Sequence, residues 1–66
     1  MYKVAWLNKS PYCWAASTDG GRTYTKLEAD NDEASYEAID EAAKRFNVST
    51  DKWDLEEEPI TSLYQH

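Results

Sequence analysis

The sequence predicts an α+β fold: a small antiparallel sheet of three to four strands with one helix packed on one face, in the order β-β-β-α-β. Three observations predict it. Apolar and polar residues alternate in the first half of the 66-residue chain, which is typical of half-buried strands. A Gly-Gly pair interrupts this half as a turn, and apolar residues then change to helical spacing. Residues 1–66 are expected to form a single domain, because a chain of this length supports only one core.

Three strands are predicted in the first half of the chain. They span residues 2–7, 12–18 and 23–28, where aromatic and β-branched residues are frequent. The Gly20-Gly21 pair lies between the second and the third strand, and glycine adopts the positive φ angles of tight turns without steric cost. The second and third strands are therefore predicted to form a β-hairpin.

A short motif coincides with this hairpin. Ser17, Asp19, Gly21 and Thr23 match the Asp-box, written S-x-D-x-G-x-T-W, and Tyr24 replaces its Trp. The segment therefore resembles the Asp-box, which in proteins that carry it is a β-hairpin turn whose Asp binds local backbone and whose aromatic residue packs inward. The motif recurs on unrelated folds, where it is structural. In sialidase-type propellers it repeats from blade to blade, so a single copy implies a hairpin and not sialidase activity.

A helix is predicted after the third strand. Asp30 and Glu33 have the spacing of a capping box, which marks a helix start. Apolar residues then form a stripe at helical spacing: Ala34, Ala38, Ile39, Ala42, Ala43 and Phe46. Glu41 and Arg45 are four residues apart and are predicted to form an ion pair on this helix. Asn47 is predicted to end it.

The segment after the helix fits two interpretations. Trp53 and Leu55 alternate with acidic residues, which favours a short half-buried strand within residues 50–58. The alternative is a second short helix that Pro59 stops, because proline removes a backbone donor. Residues 60–64 either extend the strand or form a tail.

Charge is distributed unevenly along the chain. Residues 1–27 contain four basic residues and one acidic residue, a balance of +3, whereas residues 28–66 contain three basic and twelve acidic residues, a balance of −9. The overall net charge of −6 argues against generic attraction to the phosphates of nucleic acids. The acidic half is compatible with a basic protein partner.

This asymmetry favours a small, non-enzymatic protein-binding module that docks a basic partner through its acidic helix side. One version of the hypothesis is an accessory or inhibitory protein of a phage or mobile element, whose carboxylates imitate phosphate spacing. The competing interpretation is that the surface charge only maintains solubility. The candidate partner-binding residues are Glu33, Glu37, Asp40, Glu41, Glu56 and Glu57.

The amino-terminal half supports a second hypothesis, a module that contacts nucleic acid through a basic, aromatic sheet. Aromatic rings stack on bases, and cations bind phosphates. The candidate residues for this role are Lys3, Trp14, Arg22, Tyr24 and Lys26. A third hypothesis is a homodimer of unknown role, joined by exposed aromatics of the sheet or by an open edge strand.

The sequence predicts no catalytic residue, no metal site and no cofactor, so we do not expect an enzyme. Cys13 would need a neighbouring base to act as a nucleophile, and the only histidine is His66, the last residue of the sequence. One cysteine and one histidine fall far short of a zinc site. A single cysteine indicates a reducing compartment, and the sequence has neither a leader nor an apolar run of about 18 residues. We therefore expect a cytoplasmic protein with no membrane partner.

Overall fold

The fold is known from a computed structural model that describes residues 1–7, 13–31 and 33–60. Within these residues the elements follow in this order: β1 (Tyr2–Leu7), β2 (Cys13–Ser17), β3 (Thr25–Lys26), α1 (Ser35–Phe46), a 3-10 helix (Thr50–Lys52) and β4 (Trp53–Leu55). One helix lies beside one small sheet, so the predicted α+β fold class is confirmed.

The strands form a four-stranded sheet in the order β3-β2-β1-β4. β1 is antiparallel to β2, and β2 is antiparallel to β3, as predicted. β4 is parallel to β1, so the sheet is mixed and not antiparallel throughout. The physical reason is the crossover: α1 carries the chain back across the sheet, and the next strand then runs in the same direction as β3 and β1.

The predicted hairpin joins β2 to β3. Its connecting loop is longer than the sequence suggests, because β2 ends at Ser17 and β3 begins at Thr25. β3 has two residues, whereas residues 23–28 were predicted to be extended. The strand is shortened because the carboxylate of Asp19, and not β2, binds the backbone N–H of Thr23. Beyond β3, the backbone N–H of Leu27 still donates to the Trp14 carbonyl at 2.7 Å, so the chain stays beside β2.

The start of α1 differs from the prediction, and its end does not. Ala34 is the N-cap residue and makes no side-chain capping bond, so the predicted capping box of Asp30 and Glu33 is wrong. Asn31 shapes this turn instead: its Oδ1 accepts the Glu33 backbone N–H at 3.0 Å, and its carbonyl accepts that of Ala34 at 3.2 Å. Asn47 ends the helix in the left-handed conformation, with φ of 56°, as predicted.

The core lies on both faces of the sheet. On the helix face, Ala34, Ala38 and Ala42 of the predicted stripe are buried in one cluster with residues of the sheet. The buried members of this cluster are Val4, Trp14, Ala16, Leu27, Ala34, Ala38, Ala42 and Trp53. Alanine side chains let the helix approach the sheet closely, so that the large rings fill the space between the two layers. On the opposite face, a smaller cluster contains Ala5, Ala15 and Tyr24, with Ile60 packed against it.

The strand interpretation of residues 50–58 is confirmed by β4. The Trp53 ring anchors this strand, because its centroid lies 5.3 Å from that of Tyr2 and 5.9 Å from that of Phe46. Of the predicted extension 60–64, Ile60 forms a parallel bridge with β1, and residues 61–64 lie outside the described residues. In the described part of the chain, no helix has the length and apolar character needed to cross a bilayer.

Candidate functional site

The solvent side of α1 carries an exposed tyrosine among carboxylates. Tyr36 is 80% exposed, although it is a large aromatic residue. Glu37 is its neighbour in the chain, Asp40 lies one turn further along the helix, and Glu33 lies in the turn that precedes α1. We call Glu33, Tyr36, Glu37 and Asp40 the helix surface.

The carboxylates of the helix surface form no ion pair with the described part of the chain. Within residues 1–7, 13–31 and 33–60, the ion pairs are those of Lys3 with Glu56 and of Arg45 with Glu41. No cation of this part of the chain therefore lies within ion-pair distance of the helix-surface carboxylates. Their negative potential remains available to a molecule outside.

Glu41, also predicted to be a partner-binding residue, contacts the sheet. Both of its carboxylate oxygens accept the backbone N–H of Glu28 at 2.9 Å. Its Oε2 atom lies 3.6 Å from Nη2 of Arg45, which confirms the predicted pair. Arg45 in turn donates from Nη1 to the carbonyl of Lys26 at 2.9 Å. The Glu41 carboxylate thus ties α1 to the sheet edge.

The Glu41–Arg45 pair covers the outer side of the β3 edge. The Leu27 N–H points toward β2. Because alternate residues of an antiparallel strand direct their backbone groups to opposite sides, the Lys26 carbonyl and the Glu28 N–H point away from β2. An added strand would bind these two groups, and the side chains of α1 bind them instead.

The opposite edge of the sheet is β4, and no described strand pairs with its outer side. The backbone N–H of Glu56 donates to the Val4 carbonyl at 2.8 Å, so Glu56 and Asp54 direct their backbone groups toward β1. Leu55 lies between them and directs its N–H and C=O outward. Its side chain is 42% exposed. Among the described residues, this edge thus combines outward backbone groups that no strand pairs with an exposed apolar side chain.

An open depression of about 500 Å³ lies beside β4, and we call its lining the edge surface: Met1, Lys3 and residues 54–58. The predicted binding residues Glu56 and Glu57 lie here. Glu56 binds Lys3 at 3.1 Å, and this hydrogen bond and charge raise the pKa of Lys3 above its usual value. Asp54, Glu57 and Glu58 have no ion-pair partner among the described residues.

Asp19 organises the turn between β2 and β3. Its Oδ1 atom accepts the Ser17 hydroxyl at 2.7 Å and the backbone N–H groups of Arg22 and Thr23 at 3.0 Å each. Its Oδ2 atom accepts the Thr23 hydroxyl at 2.6 Å. These bonds, led by those of Thr23 and Ser17, hold the pKa of the Asp19 carboxyl well below its usual range. The carboxylate therefore shapes the turn.

Gly21 lets the ring of Tyr24 fold back under this turn. The Gly21 N–H donates to the Ser17 hydroxyl at 2.9 Å, and its φ is +97°. A Cβ atom at Gly21 would lie 3.1 Å from the Tyr24 hydroxyl oxygen, closer than ordinary packing allows. The Tyr24 ring packs with Ala5 and Ala15, and burial, followed by the Glu56 charge, raises its pKa.

The residues of the nucleic-acid hypothesis do not form one surface. Trp14 is 4% exposed, belongs to the core under α1 and donates from Nε1 to the Asn31 carbonyl at 2.7 Å. Tyr24 is 6% exposed and lies on the other face of the sheet. Lys3 is paired with an acid, whereas Arg22 and Lys26 are exposed. Neither predicted stacking ring is available to a base.

The described residues contain no group of three or more His, Cys, Asp and Glu side chains that could hold a metal ion. Cys13, the nucleophile considered from the sequence, is half-buried at the start of β2. His66, the base considered beside it, lies outside the described residues.

The exposed apolar residues Tyr36, Met1 and Leu55 were missed by sequence reasoning. A signal for Tyr36 was present, because a position two residues after Ala34 and two before Ala38 lies opposite the alanine stripe on a helix. For Met1 and Leu55 no local pattern was available, since their exposure depends on which strand lies at the edge of the sheet.

Comparison with known proteins gives no match, either to a family model, to a curated protein or to a solved structure.

Proposed function

We propose that this protein is a small, non-enzymatic protein-binding module that docks a basic protein partner through its acidic surface, with the helix surface at the centre. The observation that supports this most directly is Tyr36, which is 80% exposed among carboxylates that no described cation pairs. A large exposed ring surrounded by acids is poorly explained by solubility alone, because charged residues without the ring would serve that purpose.

The helix surface has the chemistry that a basic partner requires. Tyrosine is enriched in protein interfaces, since its ring supplies contact area at low entropic cost and its hydroxyl still binds water or a partner. The ring face attracts arginine and lysine, and neighbouring carboxylates bind the same cations. Tyr36 with Glu37 and Asp40 thus offers a cation both kinds of contact on adjacent helix positions.

Charge beyond this surface favours encounter with the same class of partner. Residues 28–66 carry a balance of −9, and such a potential attracts a basic protein over roughly the Debye length of 10 Å in about 0.1 M salt. Association should therefore be fast at low salt and slower at high salt.

The narrower version of the proposal is an accessory or inhibitory protein of a phage or mobile element, acting in the cytoplasm. Its carboxylates would occupy a groove in which the partner otherwise binds nucleic-acid phosphates. The negative balance of residues 28–66 supports this version, and competition between this protein and an oligonucleotide for the captured partner would test it.

The first experiment is a pull-down of the tagged protein from its native lysate, with and without nuclease, at low and high salt. We expect one basic protein that survives nuclease treatment and is released by salt. Retention that disappears with nuclease would instead favour the nucleic-acid hypothesis.

A pair of charge-matched variants makes the experiment specific. Glu37→Lys with Asp40→Lys reverses two charges on the helix surface, and Asp30→Lys with Asp51→Lys reverses two exposed charges outside α1. We expect the first variant to lose the partner and the second to retain it. Equal retention by both would contradict the proposal. Glu41 is left unchanged, because its reversal would also break its contact with the sheet.

A further inference from the structure

We propose that β4 accepts an extended, cationic segment of the partner as an additional strand of the sheet. This inference rests on the proposed function and specifies one mode of binding for it. The carrying observation is that the two edges of the sheet differ: side chains of α1 bind the outward backbone groups beside β3, while Leu55 on β4 directs its N–H and C=O away from β1, where no described strand binds them.

The protected edge shows what a strand would bind there. The Arg45 guanidinium donates to the Lys26 carbonyl and the Glu41 carboxylate accepts the Glu28 N–H, each at 2.9 Å. A donor and an acceptor from α1 thus take the places of the N–H and C=O of an added strand. On β4 the corresponding places are empty of described residues, so this edge is competent for strand addition.

The side chains around β4 define the sequence of the added segment. Leu55 pairs in register with Val4, so its side chain lies on the helix face of the sheet, at the rim of the core. Asp54 pairs with Lys3, lies on the opposite face and forms part of the edge surface. Neighbouring side chains on the same face of adjacent strands interact. The segment that fits therefore alternates cationic and apolar residues.

A second copy of this chain does not fit the same place. Two β4 edges side by side would bring together two sets of the unpaired carboxylates of Asp54, Glu57 and Glu58. Like charges placed opposite one another across two strands are destabilising. The same carboxylates attract lysine and arginine, so the charge that excludes a copy selects a basic segment.

The test uses the peptide acetyl-Lys-Val-Lys-Val-Lys-amide, added to the ¹⁵N-labelled protein and followed by NMR and amide hydrogen exchange. We expect saturable binding, slowed exchange of the Leu55 amide, and no binding of the matched peptide with Glu in place of Lys. A third peptide with N-methylated valines keeps the charge and loses backbone donors. It should bind at least about tenfold more weakly, because hydrogen bonds to the edge are lost.

Two protein variants separate the backbone of Leu55 from its side chain. Leu55→Pro removes the outward N–H and should weaken the lysine peptide about tenfold, whereas Leu55→Ala keeps it and should change the affinity only about threefold. If Leu55→Pro proves unfolded by NMR, the N-methylated peptide still tests strand addition on the unaltered protein, because it removes the complementary hydrogen bond from a valine N–H to the Leu55 carbonyl.

The outcomes distinguish this inference from the proposed function. Equal binding of the lysine and N-methylated peptides, with an unprotected Leu55 amide, would overturn strand addition while leaving acidic docking intact. Failure of the lysine peptide to bind would also overturn it, whatever the Glu37→Lys and Asp40→Lys variant shows in the pull-down. Protection of the Leu55 amide by raised protein concentration alone would identify a second copy as the occupant and overturn the inference as well.

Discussion

The two edges of this sheet are held by different physical means. At the β3 edge, polar side chains of α1 reach the backbone: Arg45 binds the Lys26 carbonyl and Glu41 binds the Glu28 N–H. At the β4 edge, the strand is anchored through the buried ring of Trp53, which packs against Tyr2 and Phe46. At the β3 edge, the side chains of α1 bind the outward backbone groups. At the β4 edge, no described strand binds them.

This difference shows how one helix can protect one edge and leave the other open. Unpaired edge strands are templates for unwanted pairing, and proteins commonly block them with charge or with a covering element. Here α1 covers the β3 edge directly, while the β4 edge is short and bears carboxylates, which repel a second copy. Variants that remove the Trp53 ring at the β4 edge or the Glu41 carboxylate at the β3 edge test the two arrangements separately.

The largest effect is expected for Trp53→Ala. The ring is 6% exposed, and its loss leaves a cavity between β4 and α1, which costs about 3–5 kcal/mol of unfolding free energy. A domain of this size has little more than that in total, so the variant should be largely unfolded at 25 °C. Urea unfolding followed by circular dichroism measures this. Leu55→Ala is the control on the same strand, and an equal loss there would show that the ring is not the anchor.

Much of the core was predictable, because it follows from local patterns. The alanine stripe from Ala34 to Ala42 and the alternation within β1 each have one regular period, and that period determines which residues face inward. Likewise, the spacing of Asp19 and Thr23 indicated a turn. This turn was predictable because the two residues that form its hydrogen bond are only four positions apart.

The edges were not predictable, because they depend on contacts between distant residues. Glu41 has the sequence environment of an exposed helix residue, and its partner, the Glu28 N–H, lies thirteen positions earlier in the chain. The parallel direction of β4 likewise follows from the path of the crossover, which no local period encodes. The helix start was misplaced for a smaller reason: the side chain of Asn31 binds the Glu33 backbone N–H, and Asp30 belongs to a residue type that favours the same kind of turn.

An intermediate effect, visible as a pH dependence, is expected for the turn that leads into β3. Asp19 has a lowered pKa in the folded protein. Its ionised carboxylate therefore adds to the free energy of unfolding above its unfolded pKa of about 4, and this addition is lost as the pH falls toward the folded pKa. The unfolding free energy of the wild type should therefore fall below about pH 5. Asp19→Asn should be less stable at pH 7 and should lose less on acidification. Urea unfolding at several pH values gives both slopes, and parallel slopes would contradict the role of this carboxylate.

A smaller effect on stability, with a change in assembly, is expected for Glu41→Ala. The variant frees the Glu28 N–H and should cost about 1 kcal/mol, because a charged acceptor at a partly exposed site is lost. It also opens the β3 edge to pairing, so sedimentation should detect association that rises with concentration. Asp40→Ala, one position earlier on α1, is the control. If Glu41→Ala stays monomeric and its Glu28 amide exchanges at the wild-type rate, the Glu41 contact does not protect this edge.

The smallest effect is expected for Leu55→Pro, and it tests the open edge most directly. The Leu55 N–H points away from β1, so proline should cost less than about 1 kcal/mol, as at other edge positions whose donor is unused. Asp54→Pro is the matched control one residue earlier, where the N–H faces β1, and it should cost about 3 kcal/mol or more. Equal losses would mean that the outward side of β4 is already engaged. A large difference shows a free donor at Leu55, which strand addition requires.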